Sequence, residues 1–239
     1  MPDQHGSDIR IDTRARLRAA VEAAPDYVIG GRPCLDLANT VEPRGGPGHG
    51  RGVARLEYLG DYVGLVGWAV RASVVGTATG VRLLEAAEAR PAEARRVHRQ
   101  AVALSDALYR AFGAIARGGV PATSDLDGIK AVYAEAMASA TLKPEDGGLT
   151  WTWSPDEADL AVPLWPAAFS AIELMTEADP RRVKLCPGGQ APDDPVRCAW
   201  LFYDETKNRS RRWCTMEDCG SAAKSRALTA RRRAARTRA

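Results

Sequence analysis

Long apolar runs are missing from this sequence: it has no stretch of about eighteen apolar residues, which argues against a membrane-spanning helix and a membrane partner. The first residues include Asp3, Asp8 and Arg10 in place of the apolar core of a secretory signal peptide, so we expect a cytoplasmic protein. Phosphate-binding motifs are missing too. The glycine-rich stretch 45–52 lacks the last glycine of G-x-G-x-x-G and the Gly-Lys-Ser/Thr of the phosphate loop, which argues against a nucleotide-binding enzyme.

Histidine is scarce, and the three present are His5, His49 and His98. They fall in the N-terminal segment, the glycine-rich loop and a charged predicted helix, so none has an evident nucleophile to activate. Acidic residues such as Glu85 and Glu88 share predicted helix faces with arginines, where ion pairing explains them. The sequence therefore favours a protein that is not an enzyme, and it leaves an enzyme built on the helical part as the alternative.

Four of the five cysteines lie in the last quarter of the chain: Cys186, Cys198, Cys214 and Cys219. Eleven residues separate the first two, fifteen separate the second from the third, and four separate the last two. Two thiol pairs joined by a longer loop are typical of tetrahedral zinc sites, and clustered cysteines of cytoplasmic proteins bind metal more often than they form disulfides. Four cysteine ligands leave no open coordination position, which predicts one structural zinc ion. Reduced structural thiols are the alternative.

Charge is distributed unevenly along the chain. Residues 181–239 hold fifteen Lys and Arg against six Asp and Glu, a balance of +9, whereas residues 1–180 hold 18 against 24, a balance of −6. A basic segment of this kind is typical of nucleic-acid-binding proteins, because phosphate contacts supply most of their sequence-independent affinity. A solvated tail or a protein contact is the alternative. The residues that we predict to contact DNA are Lys207, Arg209, Arg211, Arg212, Lys224, Arg226, Arg231 and Arg232.

Apolar periodicity predicts a mainly α-helical fold with a few short β-strands. Apolar residues recur at helical spacing over 56–72, 81–117 and 124–140, and Pro91 marks a break in the second of these segments. Residues 149–154 alternate as a strand does, and a further helix is expected to run from there to residue 178.

The tail has a pattern of its own. The residues around Trp200 and Phe202 predict a strand that returns through 211–214, and the aromatic side chains are expected to pack around the metal. Residues 216–236 are rich in Ala, Arg and Lys and predict a helix. We therefore expect an N-terminal extension over 1–26, in which residues 8–24 form a peripheral or frayed helix, a helical domain over 27–178, and a small treble-clef-like zinc module over 181–239 that ends in the basic helix.

Two motifs resemble those of a known family. The stretch from Asn208 to Cys214, NRSRRWC, is followed by Cys219-Gly220 and a basic helix, and it resembles the C-terminal CGNR zinc finger of bacterial proteins that begin with an ABATE domain. The stretch from Gly30 to Thr40, GGRPCLDLANT, is similar to the early signature of the same family. The resemblance implies a stress-induced transcription regulator, whose zinc module binds DNA and whose helical domain senses a small-molecule effector or forms a homodimer.

The sequence departs from the family pattern at two places. Ser221 and Ala222 stand where the family has Asn and Arg, and the first cysteine pair is separated by a longer loop. A longer surface loop costs little entropy, so the ligands can stay in place. The missing Asn and Arg favour the alternative function: a small-molecule-binding protein or an enzyme of specialised metabolism that keeps a structural zinc module.

Asp36 and Asn39 lie three positions apart and share one face of a predicted helix. They are interpreted either as capping or buried hydrogen-bonding groups or as the lining of a pocket for the effector. Tryptophans of the helical part are expected either to form an aromatic wall there or to belong to the core: Trp68, Trp151, Trp153 and Trp165.

Overall fold

The computed structural model describes residues 5–25, 28–42, 44, 56–153, 159–188 and 198–237. Within these residues the chain forms eight α-helices and three two-stranded antiparallel sheets, which confirms the prediction of a mainly α-helical fold with a few short strands. None of these helices is long and apolar enough to cross a membrane. The glycine-rich stretch 45–52, the start of the predicted helix at 154–158 and most of the loop between the first two tail cysteines lie outside the described residues.

The helices are α1 (His5–Ala23), α2 (Pro33–Ala38), α3 (Tyr62–Arg71), α4 (Thr77–Ala89), α5 (Pro91–Ala116), α6 (Thr123–Ala138), α7 (Trp165–Thr176) and α8 (Ser221–Thr237). The strands pair as β1 (Val41–Glu42) with β2 (Leu56–Glu57), β3 (Thr141–Glu145) with β4 (Gly148–Thr152), and β5 (Val183–Leu185) with β6 (Leu201–Tyr203). A π-helical turn, Met216–Gly220, precedes α8. Pro91 separates α4 from α5 as predicted, because proline suits the first turn of a helix and not its interior.

The short helix α2 lies at the centre of the helical body, between α5 and α7. Its apolar side chains Cys34, Leu35, Leu37 and Ala38 are all fully buried. The long helix α5 packs against α2 with an apolar face that includes Leu104. A helix that is buried on all sides is held by its neighbours, so the position of α2 depends on the packing around it.

The N-terminal helix, which was expected to be peripheral, packs against α3 and α4. Leu17 is 2% exposed and belongs to the main core. The contact with α3 is close at Gly67, where an added Cβ would lie 2.6 Å from the backbone carbonyl group of Ala20. Helix α1 is therefore an integral part of the helical body.

The tail strand β6 has a different partner from the one predicted. It pairs with β5, with Lys184 opposite Phe202, whereas residues 211–214 form no strand. The buried carboxylate of Asp204 explains the difference, because it accepts hydrogen bonds from the backbone N–H groups of Thr206 and Arg211. These bonds fold the chain into a compact loop after β6, so no hairpin forms there.

Candidate metal centre and basic surface

The four predicted zinc ligands converge although they come from separate parts of the tail. Cys186 follows β5, Cys198 precedes β6, and Cys214 and Cys219 lie before and within the π-helical turn. Their Sγ atoms all lie within 4.8 Å of one another, with 3.5 Å between Cys198 and Cys214 and 3.6 Å between Cys214 and Cys219. Zinc–sulfur bonds of about 2.3 Å in a tetrahedron place the sulfurs about 3.8 Å apart. The cluster therefore fits a zinc ion.

The surroundings of Cys186 suit a metal-bound thiolate. The backbone N–H groups of Gly188 and Cys214 each donate to its Sγ atom at 3.4 Å. A bound dication deprotonates coordinating thiols outright. Three of the four cysteines are buried and Cys198 is half-buried, so the site is closed. A closed site with four cysteines is structural and offers no position for a reacting water.

A small apolar core surrounds the cysteines. Trp200 and Phe202 are buried against them, and Trp213 packs there too, as predicted for these aromatic residues. Ile29 and Tyr58, which lie far upstream in the sequence, complete this core. The metal centre is therefore built partly from the tail and partly from the helical body.

Arg211, which was predicted to contact DNA, makes hydrogen bonds within the protein. Its guanidinium donates to the carbonyl oxygens of Cys214 at 2.6 Å, Ile29 at 2.9 Å and Trp213 at 3.2 Å, and more weakly to Tyr203 at 3.4 Å. It also stacks over the ring of Phe202, 4.4 Å from the centroid. A guanidinium whose donors are engaged in this way has little capacity left for a phosphate.

The neighbouring basic residues of the loop differ in their surroundings. The Arg209 guanidinium is paired with the carboxylate of Asp179 at 2.6 Å. Lys207 and Arg212 are exposed, and Arg212 lies over the ring of Trp213 at 5.2 Å from its centroid. Lys207 and Arg212 are therefore the loop cations that face solvent without such an ion pair among the described contacts.

Helix α8 is basic and exposed. Its sequence contains six Lys and Arg and no acidic residue. Apart from the π-helical turn, α8 makes no extended contact with another helix or strand in the described part of the chain. Lys224, Arg231 and Arg232 are exposed, and Arg226 is half-buried. The π-helical turn that carries Cys219 is thus followed directly by a positively charged, exposed helix.

Asp36 and Asn39 make buried hydrogen bonds to the backbone. Asp36 Oδ1 accepts from Gly30 N at 2.7 Å, and burial raises the pKa of Asp36 to about 6. Asn39 Nδ2 donates to the Leu201 carbonyl at 2.8 Å, while Asn39 Oδ1 accepts from Leu201 N at 2.9 Å. These contacts agree with the hydrogen-bonding interpretation of both residues. The long sequence separation between Asn39 and Leu201 left no signal from which the second contact could be predicted.

The four tryptophans, which were expected either to form an aromatic wall or to belong to the core, differ in their surroundings, and Trp153 both packs against the core and reaches a groove. Trp68 and Trp165 are buried in the main core. Trp151 and Trp153 line an open groove of about 370 Å³ together with the turn between α3 and α4, and Pro33 forms part of the same lining. Asp36 and Asn39 do not line this groove.

The fold and the site define a helical protein with a four-cysteine zinc finger. A family model described as "Putative stress-induced transcription regulator", ABATE, matches residues 31–178, and a CGNR zinc finger model matches residues 182–232. The chain therefore belongs to the ABATE family and carries a CGNR zinc finger, which confirms the resemblance seen in its motifs. The zinc finger match and the cysteine cluster together support one structural zinc ion. A comparison with curated proteins found no match.

Proposed function

We propose that this protein is a DNA-binding transcription regulator of the cytoplasm, in which a structural zinc ion holds the basic helix α8 against DNA. The zinc ligands would be Cys186, Cys198, Cys214 and Cys219. The observation that carries the proposal is α8 itself, which is basic, free of acidic residues and exposed. Because Cys219 lies in the turn that precedes α8, ligation by this cysteine would fix the start of the helix.

The proposed DNA surface consists of the basic residues that are exposed to solvent. Lys224 and Arg231 lie seven residues apart and therefore share one face of α8, with Arg232 beside them. Lys207 and Arg212 extend the positive charge onto the loop before the zinc site. Contacts of this kind bind phosphates and carry no sequence information, so we propose that they position the protein on the duplex. The helical body would sense a ligand or form the homodimer.

A small-molecule-binding protein or enzyme is the second candidate function. The groove lined by Trp151 and Trp153 favours it, because aromatic side chains are common in ligand pockets. The replacement of the family's Asn and Arg by Ser221 and Ala222 also favours it. In this alternative the zinc module is structural and α8 contacts no DNA.

A salt titration separates the two functions. The full-length zinc-loaded protein is titrated into a fluorescent duplex of random sequence, and anisotropy is measured from low to physiological salt. We expect affinity that falls steeply with salt, and in Arg231→Ala a salt slope that is smaller by about one. Lys130→Ala removes an exposed charge from α6 and is the matched control, which should leave both quantities unchanged. No binding at low salt would refute the regulator and leave the second candidate.

A further inference from the structure

The edge of β6 that faces away from β5 is paired with residues of the helical body. On the β5 side, the bonds run from Cys186 N to the Trp200 carbonyl and from Asp204 N to the Arg182 carbonyl. On the other side, Leu201 is paired in both directions by the side chain of Asn39. The amide of Asn39 thus occupies the place of a neighbouring strand, and it satisfies backbone groups that would be costly to bury unpaired.

Further bonds extend the same contact along the chain before and after α2. Tyr203 N donates to the Gly30 carbonyl at 2.8 Å, and Trp200 Nε1 donates to the Val41 carbonyl at 3.2 Å. The turn at Gly30 is tightly packed, since an added Cβ would lie 2.7 Å from Leu35 Cβ and 2.9 Å from the backbone nitrogen of Asp36. We name residues 29–41 the docking segment, because hydrogen bonds join both of its ends to the zinc module: Ile29 and Gly30 at one end, Asn39 and Val41 at the other.

The metal side of this contact is bridged by a single side chain. One nitrogen of the Arg211 guanidinium donates both to the carbonyl of Cys214 and to the carbonyl of Ile29 in the docking segment. The Arg211 guanidinium therefore contacts both the loop around Cys214 and the docking segment of the helical body. A change in the loop on loss of the metal would move a group on which the docking segment depends.

The side chains of residues 200–203 divide between two cores. Leu201 and Tyr203 belong to the core of the helical body, whereas Trp200 and Phe202 belong to the core around the cysteines. All four are buried. Displacement of this segment would therefore remove apolar side chains from the helical body as well as from the metal centre.

We propose that the docking segment couples zinc binding to the stability of α2: the zinc-loaded module holds α2 in place, and α2 in turn strengthens zinc binding. Coupling of this kind is reciprocal, so the same factor acts in both directions. The opposite arrangement is an independent zinc finger on a tether, whose loss of metal would leave α2 unchanged. The proposal concerns zinc and α2 alone and does not depend on DNA binding.

Hydrogen exchange of the unmodified chain tests one direction. The full-length protein is compared in its zinc-loaded form and after removal of zinc by a chelator, and exchange is followed by mass spectrometry in peptides from α2 and from α6. The coupling predicts exchange in α2 that is between about 5- and 150-fold faster without zinc. Faster exchange in α2 supports the proposal whether or not α6 follows. Unchanged exchange in α2 overturns it.

Zinc affinity tests the other direction, by competition with a chromophoric chelator. Asn39→Ala should bind zinc between about 5- and 150-fold more weakly than the original protein, because Leu201 loses both of its partners. Ile129→Val is the matched control: it removes a buried methyl group from α6, away from the docking segment, and should leave the affinity unchanged. An Asn39→Ala variant that binds zinc as tightly as the original protein contradicts the coupling. If that variant fails to fold, the exchange measurement on the unmodified chain still decides.

Discussion

Arg211 and Arg212 are adjacent and equally charged, and we predict opposite consequences of removing them. The guanidinium of Arg211 donates to the backbone carbonyls of Cys214 in the tail and Ile29 in the docking segment, and it stacks on Phe202. Arg212 is exposed and contacts the ring of Trp213. Arg211→Ala should therefore destabilise the fold strongly, whereas Arg212→Ala should have little effect on it.

The contacts set the size of the difference. The bonds from Arg211 to Cys214 O and Ile29 O, at 2.6 and 2.9 Å, are the shortest of its set. Hydrogen bonds to a charged group contribute about 1.5–3 kcal/mol each, and the side chain is partly exposed, so we take the lower end of that range. The stacking on Phe202 adds about 0.5–1 kcal/mol. Arg211→Ala should thus lower the free energy of unfolding by about 3–4 kcal/mol, against about 0.5 kcal/mol for the exposed contact of Arg212.

Urea unfolding of the zinc-loaded variants, followed by tryptophan fluorescence, measures both values. Arg211→Lys keeps the charge, yet a single ammonium group cannot replace a planar fork that reaches several carbonyls, so most of the loss should remain. The DNA titration should give the reverse order, since Arg212→Ala should reduce the salt slope by about one. Equal unfolding free energies for the two alanine variants, within about 1 kcal/mol, would show that the carbonyl contacts of Arg211 do not stabilise the fold.

Two further predictions concern Asp36 and the contact between α1 and α3. Burial raises the pKa of Asp36 from 3.8 to about 6, so the folded state binds the proton more tightly and the contribution of Asp36 to stability should fall by about 3 kcal/mol as pH rises through this window. Carboxyl NMR should show its titration near pH 6, and Asp36→Asn should abolish this part of the pH dependence; titration near 4 would contradict the assignment. Gly67→Ala should cost about 1–3 kcal/mol in thermal unfolding, because its Cβ would meet the Ala20 backbone at 2.6 Å. Gly128→Ala, which meets nothing within 4 Å, is the control and should be neutral or slightly stabilising, so equal midpoints for the two variants would refute the close contact.

The features that local chemistry determines could be predicted from the sequence. The helices followed from apolar spacing, and Pro91 separated α4 from α5 because a proline is tolerated only at the start of a helix. The zinc site followed from four cysteines, since ligand type and number restrict a metal site whatever the surrounding fold. The helix that was predicted to end at residue 178 begins only at Trp165, as α7, because Pro163 and Pro166 are suited to the first turn of a helix and not to its interior.

The features that depend on distant contacts could not be predicted. Arg211 and Arg212 have the same charge, and only the fold brings the carbonyl of Ile29 to the first of them. Asn39 and Leu201 are hydrogen-bonded in the structure but lie at opposite ends of the helical body in the sequence, so no sequence spacing relates the two. The predicted hairpin failed because the loop around Asp204 folds on its own carboxylate, which leaves β5 as the partner of β6.

One signal in the sequence did bear on the relation between the zinc module and the body. Residues 200–203 read Trp-Leu-Phe-Tyr, an apolar run without the polar alternation of a strand that has one face in water. A short run of this kind is typical of a strand that is buried on both faces. The miniature core around a metal can cover only one of them, the face with Trp200 and Phe202. The face with Leu201 and Tyr203 requires a second core, and the helical body supplies it. In a zinc finger attached only by a flexible linker, the face with Leu201 and Tyr203 would be exposed to water.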